Sequence, residues 1–482
     1  MGTWKLVEKP PGVVLIANKW VYAKKHDKDR NIVKYKARLV AKGCTQRPGY
    51  DYLETHSPVV RMESIRAILA IATTQKLYMH QMDVKGAYLN GTLKEKVYMT
   101  QPEGFDDGTG RICKLIKTLY GLKQAGWEWN IEFNYKLTKR KYKHLLSDPC
   151  VYIWHVGDDF SIITVWVDDI LIFATSIELR DKTIADIEAE WEVTNISEPT
   201  KIVGIKITTN PDSIAISSKQ YIESILQKEG MDGSDSVSTL LDPNITLVPN
   251  PEGEDRSRSN SFARLLGELQ YIANATRPDI TYTVNRLTSY TANPSLQHNI
   301  AIKRILRYLA GTKSHGIVYK ANPKHQNLHS YADAAYGNVE RNKSIIGYVF
   351  LVADGAITWC SKKQIATALS LTEAEYVALS ESACKACWLR SLYNKLGLLQ
   401  RELPMLVLGD NEGAIMMTKN PQFHKRSKHI EIRWHWVRDL VQEGTINVES
   451  CQDPDQTADV LTKALLHPKH KKHVEDMGLA PV

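Results

Sequence analysis

The sequence predicts an α+β protein of several domains, and three observations carry that expectation. At 482 residues the chain is too long for one ordinary core, so two to four domains are expected. The run Val165-Trp166-Val167-Asp168-Asp169-Ile170-Leu171-Ile172-Phe173 sets two adjacent carboxylates between apolar, β-branched stretches. That is the pattern of a buried hairpin with an acidic turn. From about residue 326 a strand hairpin leads into alternating helix and strand patterns, which build a mixed sheet with helices packed on it.

Composition narrows the class. Hydrophobic content of 43% and charged content of 24% are those of a soluble globular protein, and no apolar run reaches membrane-spanning length. The start, Met1-Gly2-Thr3-Trp4-Lys5, lacks the apolar core of a signal peptide. Seven scattered cysteines point to reduced thiols in an intracellular compartment. Cys384-Lys385-Ala386-Cys387 lacks a second pair and lies in a helical pattern, which fits a structural thiol pair better than zinc. The net charge of +8 is unevenly placed: the first fifty residues hold twelve Lys/Arg against Glu8, Asp27 and Asp29. A basic lobe fits a polyanionic partner, and it equally fits a solvated face.

Taken in order, residues 13–43 alternate apolar and basic groups and read as a twisted hairpin with basic faces. Residues 62–80 carry helical spacing and lead into a strand through Asp83. A helix near 122–138, a strand at 149–155, the hairpin at 161–174 and a helix at 177–191 follow. Strands near 201–208 and 213–217 precede a helix at 218–229. Residues 242–261, poor in large apolar groups, read as a linker or mobile loop. Helices resume at 262–275, 280–291 and 295–311.

The last region reads as strands at 328–333, 344–352, 356–360 and near 364–369, then a helix at 372–396. A strand at 404–409, helices at 411–418 and 428–443, a strand at 445–450 and a helix at 456–465 complete it. His467-Pro468-Lys469-His470-Lys471-Lys472-His473 reads as a basic tail.

Adjacent carboxylates repel, and a divalent cation offsets that repulsion; Asp is also a good turn residue, so the run alone leaves both readings open. Asp83, at a strand end before Val84-Lys85-Gly86-Ala87-Tyr88, offers a third carboxylate. Three such groups could hold two magnesium ions for nucleotidyl transfer. A strand would put Lys34, Lys36 and Arg38 on one face, as a triphosphate clamp requires, although an ordinary exposed strand alternates in the same way.

Several motifs stand in one order: Lys36-Ala37-Arg38-Leu39-Val40-Ala41-Lys42-Gly43, Ser57-Pro58-Val59-Val60, Asp83 to Gly91, Tyr120-Gly121-Leu122-Lys123-Gln124-Ala125 and Val167-Asp168-Asp169. Together they closely resemble the reverse transcriptase of copia-type LTR retrotransposons. The likeness continues through Thr276-Arg277-Pro278-Asp279-Ile280 and covers nearly the whole chain. It implies a right-hand polymerase (fingers, palm, thumb) followed by a ribonuclease H-like mixed α/β domain. The implied parts are fingers and palm over 1–240, linker and helical thumb or connection over 241–325, ribonuclease H over 326–466 and the basic tail over 467–482. By the same resemblance Asp83, Asp168 and Asp169 are palm metal ligands. Lys36, Arg38 and Gln124 lie near the nucleotide, and Tyr88 is the steric gate against a ribose 2′-hydroxyl.

Four acids recur in the C-terminal region, and each has a plain reading. Glu375 could complete a capping box from Thr372, Asp410 could be an N-cap, and Asp459 could favour a positive helix end. Their joint order with Asp333 resembles ribonuclease H, through Tyr331-Ala332-Asp333, Ser370 to Tyr376, Asp410-Asn411 and Ala458-Asp459-Val460-Leu461-Thr462-Lys463. Lys428-His429-Ile430 also matches. The resemblance implies Mg2+ or Mn2+ at both sites, with an RNA template, a DNA primer, deoxynucleoside triphosphates and an RNA–DNA hybrid as partners. It further implies a polyprotein fragment without capsid, protease or integrase regions, working in cytoplasmic particles with nuclear entry.

Some residues depart from the pattern. Trp127 replaces Arg, Trp166 replaces Tyr, Ala335 replaces an acid, and Asn195-Ile196-Ser197 replaces Asp-Leu-Gly. None removes a metal ligand, but they keep open an alternative, a catalytically inactive relic that still binds nucleic acid.

Overall fold

The computed structural model describes residues 2–26, 31–250, 259–325, 327–339, 342–397, 404–420 and 432–482. The chain packs as two units, Met1–Arg61 with Tyr78–Glu198, and Met62–Leu77 with Pro199–Val482.

The first unit is organised by a six-stranded antiparallel sheet. Its order is Val193–Ser197, Tyr78–Val84, Asp169–Ala174, Asp159–Trp166, Val151–Val156 and Lys143–His144. The central strands are buried on both faces, which is why they read as unbroken apolar runs. Helix Ala125–Lys139 presents Trp129, Phe133 and Leu137 to this sheet, and Phe133 stacks on Trp191 at 4.7 Å.

A three-stranded sheet orders Trp4–Val7, Ile112–Leu115 and Tyr98–Met99. The expected basic hairpin is the two-stranded ribbon Asn18–His26 and Ile32–Ala41. Its register puts Lys19, Lys34, Lys36 and Arg38 on one face and Tyr22, Lys24 and Tyr35 on the other. Gly121 fixes its base. With φ at 90° and the Ala41 carbonyl where a Cβ would be, no other residue fits, and the Ala41 N–H donates to the Tyr120 carbonyl at 2.8 Å.

The second unit holds two five-stranded sheets. One is antiparallel: Lys201–Ile202, Ile205–Asn210, Ser213–Ser217, His315–Lys320 and Leu479–Pro481. The other is mixed: Gly355–Lys363, Lys343–Val352 and His329–Val339 run antiparallel, then Met405–Gly409 and Ile446–Ser450 run parallel. Helices Lys219–Lys228, Ser259–Ala275, Thr281–Thr288 and Leu296–Thr312 share a core built on Ile222, Leu269, Val284 and Ile305.

Helix Met62–Thr74 belongs to this second unit, and it is buried from Ser64 to Thr73. Its Arg66 donates to the carbonyls of Ile357 at 2.6 Å, Asn274 at 2.7 Å and Ala275 at 2.9 Å. The guanidinium also lies 4.1 Å from the centre of the Trp359 ring. Burial pulls its pKa down to about 10, and the three carbonyls and the aromatic face keep the charge satisfied.

Several expectations need correction. Residues 467–482 are not a tail: His467–Asp476 is a helix that buries His470, His473 and Val474, and Leu479–Pro481 adds a strand. The density of charge hid that stripe at helical spacing. Residues 242–250 are irregular but anchored, with Leu247 in the core and its carbonyl accepting from the Tyr290 hydroxyl at 2.9 Å. Helix Ser259–Ala275 begins inside the expected linker. No strand forms at 364–369; the Gln364 amide turns inward to the Ala374 carbonyl at 2.9 Å, while Ile365 and Leu369 are exposed without a strand partner. The expected helix at 456–465 is a short 3-10 turn, Thr457–Leu461. Lys428-His429-Ile430 lies outside the described residues.

Candidate active sites

The first carboxylate group sits at one end of the six-stranded sheet. Asp169 is the cross-strand partner of both Trp166 and Asp83, and Asp168 occupies the hairpin turn. All three acids are half-buried. Val167 holds φ at 57°, a costly conformation for a β-branched residue. Trp129 Nε1 donates to the Val167 carbonyl at 2.8 Å, and the Val84 N–H donates to the Asp168 carbonyl at 2.8 Å. The strained turn is therefore tied to a core helix and to the Asp83 strand. Burial, then Asp168 and Asp83, push the Asp169 carboxyl up to about 6.

Two phenols flank these acids. Tyr88, in the 3-10 turn Ala87–Asn90, meets Tyr120 edge-on at 5.3 Å between centroids. Its carbonyl accepts a hydrogen bond from the Thr118 hydroxyl. Burial first and Asp168 second raise both phenol pKa values, so both rings lie within the field of that carboxylate. Arg38 sits 5.6 Å from the Tyr120 centroid, and Lys36 follows on the same ribbon face.

Gln124 departs from its expected place at the nucleotide. It is 1% exposed; its amide accepts from Gln46 at 3.0 Å and donates to the Asp51 carbonyl at 2.9 Å. Gln46 in turn accepts from the Lys123 N–H at 2.8 Å. The side chain is spent on ordering the 46–51 loop.

The second group lies on the mixed sheet. Among the described residues, Asp333, Asp410 and Asp459 form the one trio of acids whose ligating oxygens all lie within 4.8 Å of one another. Asp83, Asp168 and Asp169 do not meet that spacing. The trio is an all-oxygen set that suits a hard divalent cation. Asp333 and Asp459 are 2% and 0% exposed. Glu375 is buried beside them: burial, then Asp333 and Asp410, push its carboxyl up to about 10. Burial is also the largest cause raising Asp333, to about 6, and raising Asp410.

The plain readings of Glu375 and Asp410 are overturned. Ser370 caps the long helix Leu371–Lys395 by accepting from the Glu373 N–H at 3.2 Å, and the Glu373 carboxylate accepts from the Leu369 N–H. Glu375 is thus not the cap partner. Asn411, not Asp410, caps the next helix by accepting from the Ala414 N–H at 2.9 Å.

Two lysines hold Asp459. Lys463 Nζ lies 2.7 Å from one oxygen and Lys469 Nζ 2.6 Å from the other, and Lys463 is also 3.9 Å from Asp333. The Thr462 hydroxyl donates to Asp333. Gln456, fully buried, donates to the Ala332 carbonyl at 3.0 Å and fixes the 3-10 turn beside the Asp333 strand. Gly347 makes room for that turn: a Cβ there would meet Thr462 Cγ2 at 2.6 Å and Leu461 Cβ at 2.9 Å.

The sequence model described as reverse transcriptase (RNA-dependent DNA polymerase) matches residues 1–243. The chain belongs to the reverse transcriptase family. It is of the copia type. The retrovirus-related Pol polyprotein from transposon TNT 1-94 of Nicotiana tabacum is 37% identical over 99% of this chain and 36% of its own length. That from transposon RE1 of Arabidopsis thaliana is 37% identical over 100% of this chain and 33% of its own length. The chain thus spans about a third of these relatives. The putative transposon Ty5-1 protein of Saccharomyces cerevisiae is 31% identical over 62% of this chain and 99% of its own length.

In this reverse transcriptase the expected mixture of helices and sheets is present, with a five-stranded mixed sheet in the C-terminal region. The structure brings Asp83, Asp168, Asp169, Tyr88 and Arg38 to one region and gathers Asp333, Glu375, Asp410 and Asp459 at another. Sequence reasoning gave no role to Trp129, Gln456, Thr462, Lys463 or Lys469. Lys463 and Thr462 stand inside the quoted motif, so their place was visible although their partners were not.

Proposed function

We propose that this chain extends a DNA primer on an RNA or DNA template and cleaves the RNA strand of the resulting hybrid. One observation carries the reading. Strand register sets Asp169 opposite Asp83, with Asp168 at the turn, beside two phenols and the Arg38 cation.

Asp83, Asp168 and Asp169 would hold Mg2+ or Mn2+ at the polymerase site, and Asp333, Asp410 and Asp459 with Glu375 would do so at the nuclease site. Ions held there would supply Lewis acidity to the attacking oxygen and the leaving group. Arg38 and Lys36 meet the triphosphate, and the Tyr88 ring walls off a 2′-hydroxyl. The primer 3′-oxygen forms the new bond to the α-phosphorus, and pyrophosphate leaves. At the nuclease site a water oxygen attacks the RNA phosphodiester, whose 3′-oxygen departs. Burial and the neighbouring Asp333 and Asp410 carboxylates raise the Glu375 carboxyl, a repulsion that a divalent ion held there would offset. Hybrid is chosen by backbone shape and 2′-hydroxyl contacts more than by base sequence.

The test is primer extension by the purified chain on poly(rA)–oligo(dT) with Mg2+ or Mn2+, beside cleavage of labelled hybrid. Extension and cleavage are expected. A folded chain that binds hybrid but does neither is the relic.

A further inference from the structure

The charged segment read from sequence as a tail closes a cavity. Helix His467–Asp476 packs near helix Leu296–Thr312 and residues 236–238 around a space of about 590 Å3. Gly311 permits the approach, since a Cβ there would meet Ser236 Cβ at 2.7 Å. The walls carry Arg304, Tyr308, His315, His467, His470 and Lys471, with the hydroxyl groups of Ser236, Ser238 and Thr312, and no carboxylate.

Two polar atoms there are left unused. His470 is 5% exposed, and its Nε2 is buried without a hydrogen-bond partner; His315 Nδ1 is likewise unsatisfied. Such atoms cost free energy unless something pairs with them. The three imidazoles do not form a metal trio, since among the described residues only the acids reach that spacing. Arg304 is held in place by bonds to the Thr239 carbonyl at 3.1 Å and hydroxyl at 2.8 Å.

We propose that this cavity binds a phosphate group through Arg304, Lys471 and the unpaired imidazole of His470. Two cations and neutral N–H and O–H donors match a tetrahedral oxyanion, which would compete with Glu475, 3.8 Å from Lys471 Nζ on the exposed flank, for that cation. Burial holds the His470 pKa down to about 4, so at neutral pH the ring donates without adding charge. The phosphate belongs either to a nucleic-acid strand or to a free anion such as pyrophosphate.

The full chain is titrated in EDTA, which silences metal-mediated binding, with inorganic pyrophosphate by calorimetry and with labelled single-stranded DNA by anisotropy. Lys471→Glu and Arg304→Met should each weaken binding about tenfold, the loss expected for one charge-assisted contact. Weakening with pyrophosphate alone assigns a free anion, and weakening with DNA assigns a strand phosphate. Unchanged affinity for both, in variants that melt like the parent, overturns the proposal. Should Arg304→Met melt early, Lys471→Glu on the exposed flank decides, together with the nitrogen resonances of His470. Pyrophosphate or DNA should move those signals in the parent chain, and no movement with either also overturns it.

Discussion

The two carboxylate groups solve one electrostatic problem in different ways. At the first site three half-buried acids, Asp83, Asp168 and Asp169, are set by backbone register on a hairpin whose turn is strained at Val167. At the second site Asp333, Glu375 and Asp459 are drawn deeper, the acids come from four separate segments, and two lysines hold Asp459. The first site keeps its three acids half-exposed, whereas at the second the chain's own ammonium groups face a buried carboxylate. Precision at the first is therefore a property of strand pairing. Precision at the second is a property of tertiary packing, through Gln456, Gly347 and helix His467–Asp476.

The sharpest way to break this comparison is to remove one acid from each site. Asp168→Asn should reduce primer extension about a thousandfold and leave RNA cleavage intact, given several kcal/mol of ligand contribution. Glu375→Gln should do the reverse, as read by paired extension and cleavage assays. Loss of both activities in either folded variant would refute two independent sites.

Next in size is the packing that supports the second unit. Arg66→Ala leaves three buried carbonyls without their donor and should cost about 3 kcal/mol in denaturant unfolding. Residues 199–482 expressed without residues 62–74 should melt lower for the same reason. An unchanged midpoint would show that this helix is incidental.

Acidification probes what the sites share. Asp169 and Asp333 both have pKa values raised to about 6, so each is ionised at pH 7 and protonated at pH 5. The ionised form binds metal, and Mn2+ affinity measured by electron paramagnetic resonance should fall about tenfold from pH 7 to pH 5. The folding contribution has the opposite sign. A raised carboxyl pKa makes folded protein bind more protons than unfolded, so these two groups oppose folding increasingly from about pH 4 to 6.

The smallest effect concerns the edge strand. Ser197 has φ at 68° next to a bulge in the pairing with Tyr78–Val84, the position where the family pattern places Gly. Ser197→Gly should stabilise the first unit by about 0.5 kcal/mol in thermal unfolding, relief of strain exceeding the added chain entropy.

These results show which features are legible along a chain. The acidic hairpin could be read because period and β-branching are local, and the ribbon could be read because its charge alternates with period two. Asp83 opposite Asp169 came from motif order, since antiparallel partners 86 positions apart leave no local trace. The caps were misread because Ser and Asn one or two positions away made equally good bonds. The strand Leu479–Pro481 pairs with His315–Lys320, and helix Met62–Thr74 lies in the second unit; periodicity marked that helix as buried but not by what. Lys469 could not be read because its partner Asp459 is reached only through the fold of a segment that looked like a tail.

Lys463 and Lys469 bear on the order of events in the life of the chain. The chain carries neutralising partners for the buried Asp459 carboxylate, so that charge is offset without a divalent ion. A divalent ion that entered would have to displace these ammonium groups, so its binding would be an exchange of one cation for another.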